Sequence, residues 1–169
     1  MNSTRRSYEA HVLLLPLGAE AAEAQNAFVT RGLEGVMTVR GVSRSTAAED
    51  ADVRLASVPL AGCGWRPAAD GLSVTGLVAD ADMVVLMATD LAEVPAALCA
   101  AVSDAARAGG ALIAALVVGS KNWDTPHGSS AMAALREAAD MLVVVRGAEL
   151  ASSFLDVLRG GAREPVPAL

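Results

Sequence analysis

Met83-Val84-Val85-Leu86-Met87-Ala88 and Ala111–Val118 are two uncharged apolar runs, separated by the alanine-rich stretch Leu91–Ala108 and by Gly109-Gly110. Short apolar runs of this kind are typical of buried strands, and a glycine pair after an alanine-rich stretch is typical of a helix end. A strand, a helix and a second strand at this spacing predict a right-handed crossover between parallel strands. This strand–helix–strand unit indicates the class of the fold.

The same alternation extends in both directions along the chain. It predicts an α/β fold: a three-layer, Rossmann-like parallel sheet with helices on both faces. We expect one domain over residues 11–159, between flexible tails at 1–10 and 160–169. The further expected strands are His11–Leu17, Val36–Val42, Asp52–Ala56 and Met141–Val145, and the further helices are Ala19–Arg31, Ser129–Ala138 and Ala148–Leu158.

Composition excludes several classes of protein. Apolar residues make up 53% of the 169 residues and charged residues 19%, which is typical of a globular chain. The formal net charge of −6 argues against binding to nucleic acid or to an anionic membrane surface. No uncharged apolar run is long enough to span a membrane. Two cysteines, Cys63 and Cys99, give no disulfide framework and favour a reducing cytoplasm, and whether Cys63 is reactive stays open.

In a parallel sheet, ligands bind at the loops that follow the carboxyl ends of the strands. In the first of these loops, Gly18 is the only glycine, and Glu20 would oppose a bound phosphate at the helix N-terminus. After the strand at 83–88, Thr89 or Asp90 can cap the next helix, or can hold a magnesium ion or a ligand hydroxyl. The predicted loops begin at Gly18, Ser43, Thr89, Gly119 and Arg146.

The most polar of these loops, Ser120–Gly128, contains the only lysine of the chain, Lys121. Trp123 offers a stacking surface, and Asp124 and His127 can exchange protons, so the loop is a candidate ligand platform or catalytic centre. The alternative is a surface turn anchored by Trp123. No serine or cysteine lies in a recognisable nucleophile elbow, and Ser129 and Ser130 are better interpreted as helix caps.

Several segments, taken in order, resemble the N-terminal GTP-binding domain of the tubulin-like bacterial cell-division protein FtsZ. They match that family's "GLxGV" turn, its "DADVKL" strand, its "ADMVF" strand, its "LGAL" segment and its "AALRESCDTLIVI" segment. In this chain they are Asn26–Val36, Asp50–Leu55, Ala81–Leu86, Gly109–Leu112 and Ala133–Val145.

The nucleotide-binding motifs of that family are lost. Of its first glycine cluster only Gly18 remains, and its "GGGTGTG" signature falls on Leu91–Ala97, where a glutamate and a proline replace bare backbone. The "PND" motif falls on Arg146–Ala148 without its asparagine, and the "NTD" motif has no clear match. The family's catalytic-loop aspartates and second domain lie beyond the chain. The resemblance therefore implies a retained scaffold whose GTP chemistry is gone.

Three hypotheses follow for the function. The first is a non-catalytic, FtsZ-like interaction protein without cofactor or metal, which binds a protein partner or forms a closed dimer, with the alanine-rich helix as one possible contact. The second is a small-molecule or nucleotide site in an altered pocket. The third is an enzyme subunit. The residual pocket would contain Gly18, Asn26, Thr89, Asp90 and Trp123, and the enzyme would use Lys121, Asp124 and His127.

Overall fold

The computed structural model describes residues 11–29, 36–39, 57–59, 74–79 and 81–158. The strands are β1 (Val12–Leu17), β2 (Val36–Val39), β3 (Ser57–Pro59), β4 (Met83–Asp90), β5 (Leu112–Lys121) and β6 (Met141–Val145). The helices are α1 (Ala19–Val29), α2 (Val74–Ala79), α3 (Ala96–Gly109), α4 (Pro126–Ala138) and α5 (Ala148–Leu158). A short 3-10 turn, Leu91–Glu93, joins β4 to the segment before α3.

The described strands form one sheet in the order β3-β2-β1-β4-β5-β6. All neighbouring pairs are parallel except β2 and β3, which are antiparallel. In the register, Leu17 at the end of β1 lies beside Ala88 of β4, and Asp90 lies beside Lys121 of β5. The carboxyl ends of β1, β4 and β5 therefore meet at one edge of the sheet.

Each face of the sheet has its own apolar core, because successive side chains of a strand point to opposite faces. In β1, Leu13, Leu15 and Leu17 join the core that includes Leu98 of α3 and Leu135 of α4. Val12 and Leu14 join the core that includes Ala21 of α1 and Leu155 of α5. The structure thus has helices on both faces, and the sequence of β1 is apolar at every position because both of its faces are buried.

Two strands start at the same tripeptide, Ala-Asp-Met, and the aspartate has the same role in each. The carboxylate of Asp82, before β4, accepts a hydrogen bond from the backbone N–H of His11 at 2.8 Å. The carboxylate of Asp140, before β6, accepts one from the N–H of Ile113 at 2.9 Å. Each aspartate therefore joins its strand to the start of the neighbouring strand.

The α/β class, the parallel central strands and the Rossmann-like layering are confirmed. The prediction of a wholly parallel sheet is wrong at one edge, where β3 runs antiparallel to β2. The predicted strand at 52–56, the loop at Ser43, and the tails at 1–10 and 160–169 lie outside the described residues. Within the described ranges, no helix is both long enough and apolar enough to cross a membrane.

The predicted helix starts need correction on either side of β5. The helix predicted from Leu91 begins at Ala96, because the 3-10 turn and the extended residues Val94 and Pro95 come first. Pro95 precedes α3 rather than lying in its first turns. The helix predicted from Ser129 begins at Pro126.

The helix caps are also corrected. Thr125, not Ser129 or Ser130, caps α4, since its hydroxyl accepts from the N–H of Gly128 at 3.0 Å. Asp90 caps the 3-10 turn by accepting from the N–H of Ala92 at 2.9 Å. Thr89 has no such role, because its hydroxyl is buried and has no hydrogen-bond partner among the described residues.

Candidate functional site

At the edge where β1, β4 and β5 end, the chain turns from β1 into α1 at Gly18. Gly18 has a φ of +102°, which favours glycine, and its carbonyl accepts the first hydrogen bond of α1, from the N–H of Ala22 at 3.1 Å. The N-terminus of α1 thus opens on the edge of the sheet. Because helix N-terminal N–H groups are unpaired and carry partial positive charge, this is the position that would suit an anion.

The chain's own Glu93 occupies that position. Its carboxylate oxygen Oε2 accepts a hydrogen bond from the N–H of Ala19 at 2.6 Å. The approach is close enough that a Cβ placed on Gly18 would lie 2.5 Å from Cβ of Glu93 and 2.6 Å from its Oε2. A carboxylate from the 3-10 turn after β4 therefore closes the N-terminus of α1, and only glycine at position 18 leaves room for it.

Asp90, the last residue of β4, is buried beneath this edge. Its Oδ1 accepts from Nδ2 of Asn122 at 2.7 Å as well as from the N–H of Ala92. These hydrogen bonds, that of Asn122 foremost, lower the pKa of Asp90 below its usual value; Lys121 lowers it further, while burial opposes the change. Asn122 adopts a left-handed backbone with φ +63°, a conformation that asparagine tolerates well.

Lys121 links the two sides of the edge. Its Nζ donates a hydrogen bond to Oε1 of Glu20 in α1 and lies 4.0 Å from Oδ2 of Asp90. The hydrogen bond and the charge of Glu20 raise the pKa of Lys121 above its usual value, with smaller contributions from Asp90 and Glu93. The only lysine of the chain is therefore held as a cation among carboxylates.

We call Glu20, Asp90, Glu93 and Lys121 the edge cluster. Three carboxylates and one ammonium group give it a net charge of −2. The oxygens that its three acids offer lie within 4.8 Å of one another, a spacing that would suit metal ligands. Each acid, however, has a donor within the protein: Lys121 for Glu20, Asn122 and Ala92 for Asp90, and Ala19 for Glu93. These internal hydrogen bonds explain the cluster, and we assign no metal to it.

The structure brings together only part of the predicted residual pocket. Asp90 belongs to the edge cluster, and Gly18 lies against Glu93, another of its members. Thr89 is half-buried on β4 and takes no part in the hydrogen bonds of the cluster. Asn26 lies in α1, and its side chain is not among the described parts of the structure. Trp123 is not part of the cluster; its side chain is 66% exposed.

Trp123 instead borders a separate cleft of about 440 Å³ between the 3-10 turn and α4. Of the two alternatives for this loop, the one in which Trp123 packs down as an anchor is wrong, since most of the indole is exposed. The cleft offers an aromatic face, a thioether and a guanidinium group. Its lining residues are Leu91, Trp123, Ser129, Met132 and Arg136.

The three residues of the enzyme hypothesis are not assembled. Lys121 is engaged with Glu20, whereas Asp124 and His127 are exposed, and no hydrogen bond or ion pair among the described residues joins the three. Cys99 is buried, and burial raises the pKa of its thiol to about 12, so that little reactive thiolate forms near neutrality. Cys63 lies outside the described residues.

Sequence reasoning missed two features of the site. Glu20 is predicted to oppose a bound phosphate and Glu93 to replace phosphate-binding backbone, but the hydrogen bonds by which both close the edge are not predicted. Asn122 is not predicted at all. Its position directly after the strand that carries Lys121, at a turn, is the signal that would have favoured it, because asparagine is common in left-handed turn positions.

Comparison with known proteins gives no family assignment. No model of a known protein family matches the chain, and no curated protein matches its sequence.

The charge of Asp90 makes a testable contribution to stability. Because its folded pKa lies below the unfolded value of about 3.9, the charged form stabilises the fold above that pH, and this contribution disappears as the pH falls through the folded pKa. We expect Asp90→Asn to destabilise the protein by about 1 kcal/mol at pH 7 and by progressively less below about pH 4. Urea unfolding of both proteins from pH 7 to pH 3 measures the difference. Asp104→Asn, at an exposed position of α3, is the matched control and should change little; a constant Asp90→Asn effect across this range would contradict the assignment.

Proposed function

We propose that this chain is an FtsZ-like interaction protein that neither binds nor hydrolyses GTP, and that it acts as a regulatory or accessory subunit. The observation that carries the proposal is the hydrogen bond from the N–H of Ala19 to the carboxylate of Glu93. Glu93 belongs to the segment, Leu91–Ala97, on which the resemblance places the family's phosphate-binding signature. A carboxylate from that segment takes the helix N-terminus that would otherwise receive a phosphate.

Electrostatics support the same proposal. A nucleoside triphosphate carries about four negative charges and needs several backbone N–H donors at its phosphates. The edge cluster has a net charge of −2, and its one cation is already paired with Glu20. Binding a triphosphate there would require displacing Glu93 and separating Lys121 from its partner. The residues present do not fit the nucleotide.

Proteins that retain a fold without its chemistry can still act through their surfaces. The proposal therefore places the function in protein–protein contacts, in the cytoplasm that the cysteine content favours. The altered-pocket hypothesis keeps one specific observation in its favour, the cleft beside Trp123. Its exposed indole and Arg136 would suit an aromatic molecule that carries a negative charge.

Thermal unfolding with added ligands separates these two candidates. A ligand present at 100 times its Kd stabilises its protein by about 2.7 kcal/mol, which corresponds to a Tm increase of about 5 °C or more. We expect no Tm increase with 1 mM GTP or GDP and magnesium, a concentration about 100 times a 10 µM Kd. A clear increase with GTP would overturn the proposal. An increase only with aromatic anions other than guanine nucleotides, absent in Trp123→Ala, would favour the cleft.

A further inference from the structure

Strand β6 is the last described strand of the sheet, and among the described residues only β5 pairs with it. Its sequence, Met141-Leu142-Val143-Val144-Val145, contains no charged residue, proline or glycine. Side chains on both of its faces stay partly open, with Met141 45% and Val144 52% exposed. Edge strands usually carry lysine, proline or a bulge that prevents further pairing, and β6 has none of these.

Helix α5 extends this apolar surface. Leu150, Phe154 and Val157 are spaced by four and three residues and so share one side of the helix, where Val157 is 71% exposed. Ser152 is on the opposite side and is buried. Since α1 contacts α5 and the right-handed connections place α1 towards the middle of the sheet, the apolar row lies on the other side of α5, beside the edge of β6 with which no described strand pairs.

Charges at the two ends of β6 indicate what can pair with it. Asp140 precedes the strand and Arg146 follows it, and both are exposed. Oδ2 of Asp140 already accepts the hydrogen bond from the N–H of Ile113 in β5, so a partner at the outer edge of β6 shares this carboxylate with β5. In an antiparallel pair of two β6 strands with Val143 on the two-fold axis, Asp140 of each copy lies opposite Arg146 of the other. This register pairs Leu142 with Val144 and Met141 with Val145. The two side chains of each pair then lie on the same face of the sheet, as an antiparallel ladder requires.

We infer that the partner of this surface is a second copy of the chain, which forms a two-fold symmetric dimer by antiparallel pairing of β6 with β6. The sheet then continues across the dimer, and the apolar row of α5 packs on its symmetry mate, because the same two-fold axis relates the two helices. The inference rests on the proposed interaction role for its function, but its structural basis is the chemistry of β6 and α5. The alanine-rich helix α3 is not part of this interface.

Sedimentation velocity of the full chain at about 100 µM tests the dimer, because association depends on concentration. We expect a mass close to twice 17.1 kDa for the wild type. Val144→Lys should weaken the dimer about tenfold or more, since it places a charge in the pairing strand of both copies. The matched control is Leu112→Lys, at a residue that is 56% exposed but lies on β5, and it should leave the dimer unchanged.

A second variant decides the case if Val144→Lys fails to fold. Arg146→Glu places like charges opposite each other at both ends of the paired strands, and we expect it to raise the dimer dissociation constant about fivefold or more. Arg107→Glu, an equally drastic change at an exposed site on α3, is its control. A monomeric wild type, or an Arg146→Glu dimer as tight as the Arg107→Glu dimer, would overturn the inference. A dimer that also binds GTP would overturn the proposed function and leave the dimer inference intact.

Discussion

Replacing Gly18 with alanine is expected to destabilise the protein by about 2–4 kcal/mol. Two costs add. An alanine at φ +102° is strained, and its Cβ would lie 2.5 Å from Cβ of Glu93. To relieve the contact Glu93 must move, and the hydrogen bond from Ala19 to its carboxylate is lost. Urea unfolding followed by circular dichroism measures the change.

A second glycine separates backbone strain from the contact with Glu93. Gly110 has a comparable φ of +78°, but nothing lies within 4 Å of a Cβ placed on it. We expect Gly110→Ala to cost only about 1–2 kcal/mol. In a Glu93→Gly background the contact is removed, so the cost of Gly18→Ala should fall towards that of Gly110→Ala. Equal costs of the two alanine variants in the wild-type background would mean that Glu93 does not close the site as described.

Gly128→Ala is expected to lower the free energy of unfolding by about 3 kcal/mol or more, which makes it the more damaging of the two substitutions. Gly128 lies in the first turn of α4, where a Cβ would come within 1.8 Å of the backbone oxygen of Asn122. A carbonyl is not the end of a flexible side chain, so the turn that carries Asn122 must shift. That shift would also disturb the hydrogen bond from Asn122 to Asp90. The expected readouts are a lower urea midpoint and the loss of the Asp90→Asn effect on stability in the Gly128→Ala background.

The direction of the Gly128→Ala effect on stability distinguishes close packing at Gly128 from ordinary helix propensity. Inside a helix, alanine is ordinarily favoured over glycine by about 1 kcal/mol. Gly109→Ala, near the end of α3 with nothing within 4 Å of its added Cβ, should therefore be neutral or stabilising. If Gly128→Ala also stabilised the protein, the close packing of α4 against the Asn122 turn would be wrong.

The buried strands and the main helices were predictable because burial leaves a direct record in the sequence. The apolar runs within β1, β4 and β5 lie between two helical layers, and a run that is buried on both faces is apolar throughout. The start of α3 was not predictable in the same way. Alanine-rich sequence continues through Leu91–Glu93, and only the capping of the turn by Asp90 and the extended backbone at Pro95 delay the helix.

The site was predictable in position but not in its contacts. Strand order places Gly18, Asp90 and Lys121 at one edge, and the sequence pattern predicts that edge as the working end of the sheet. The hydrogen bond between Ala19 and Glu93 joins residues 74 positions apart. No local pattern encodes which carboxylate reaches which N–H group, because that depends on how the 3-10 turn directs its side chains.

Isothermal titration of the wild-type chain with GTP and magnesium is the critical measurement of whether the edge of the sheet still accepts the nucleotide. If Glu93 and the other carboxylates of the edge cluster close the N-terminus of α1, the titration should give no saturable heat at concentrations up to about 1 mM, which corresponds to a binding free energy weaker than about −4 kcal/mol. Saturable binding with a Kd of about 10 µM or tighter, abolished by Lys121→Ala, would contradict the account.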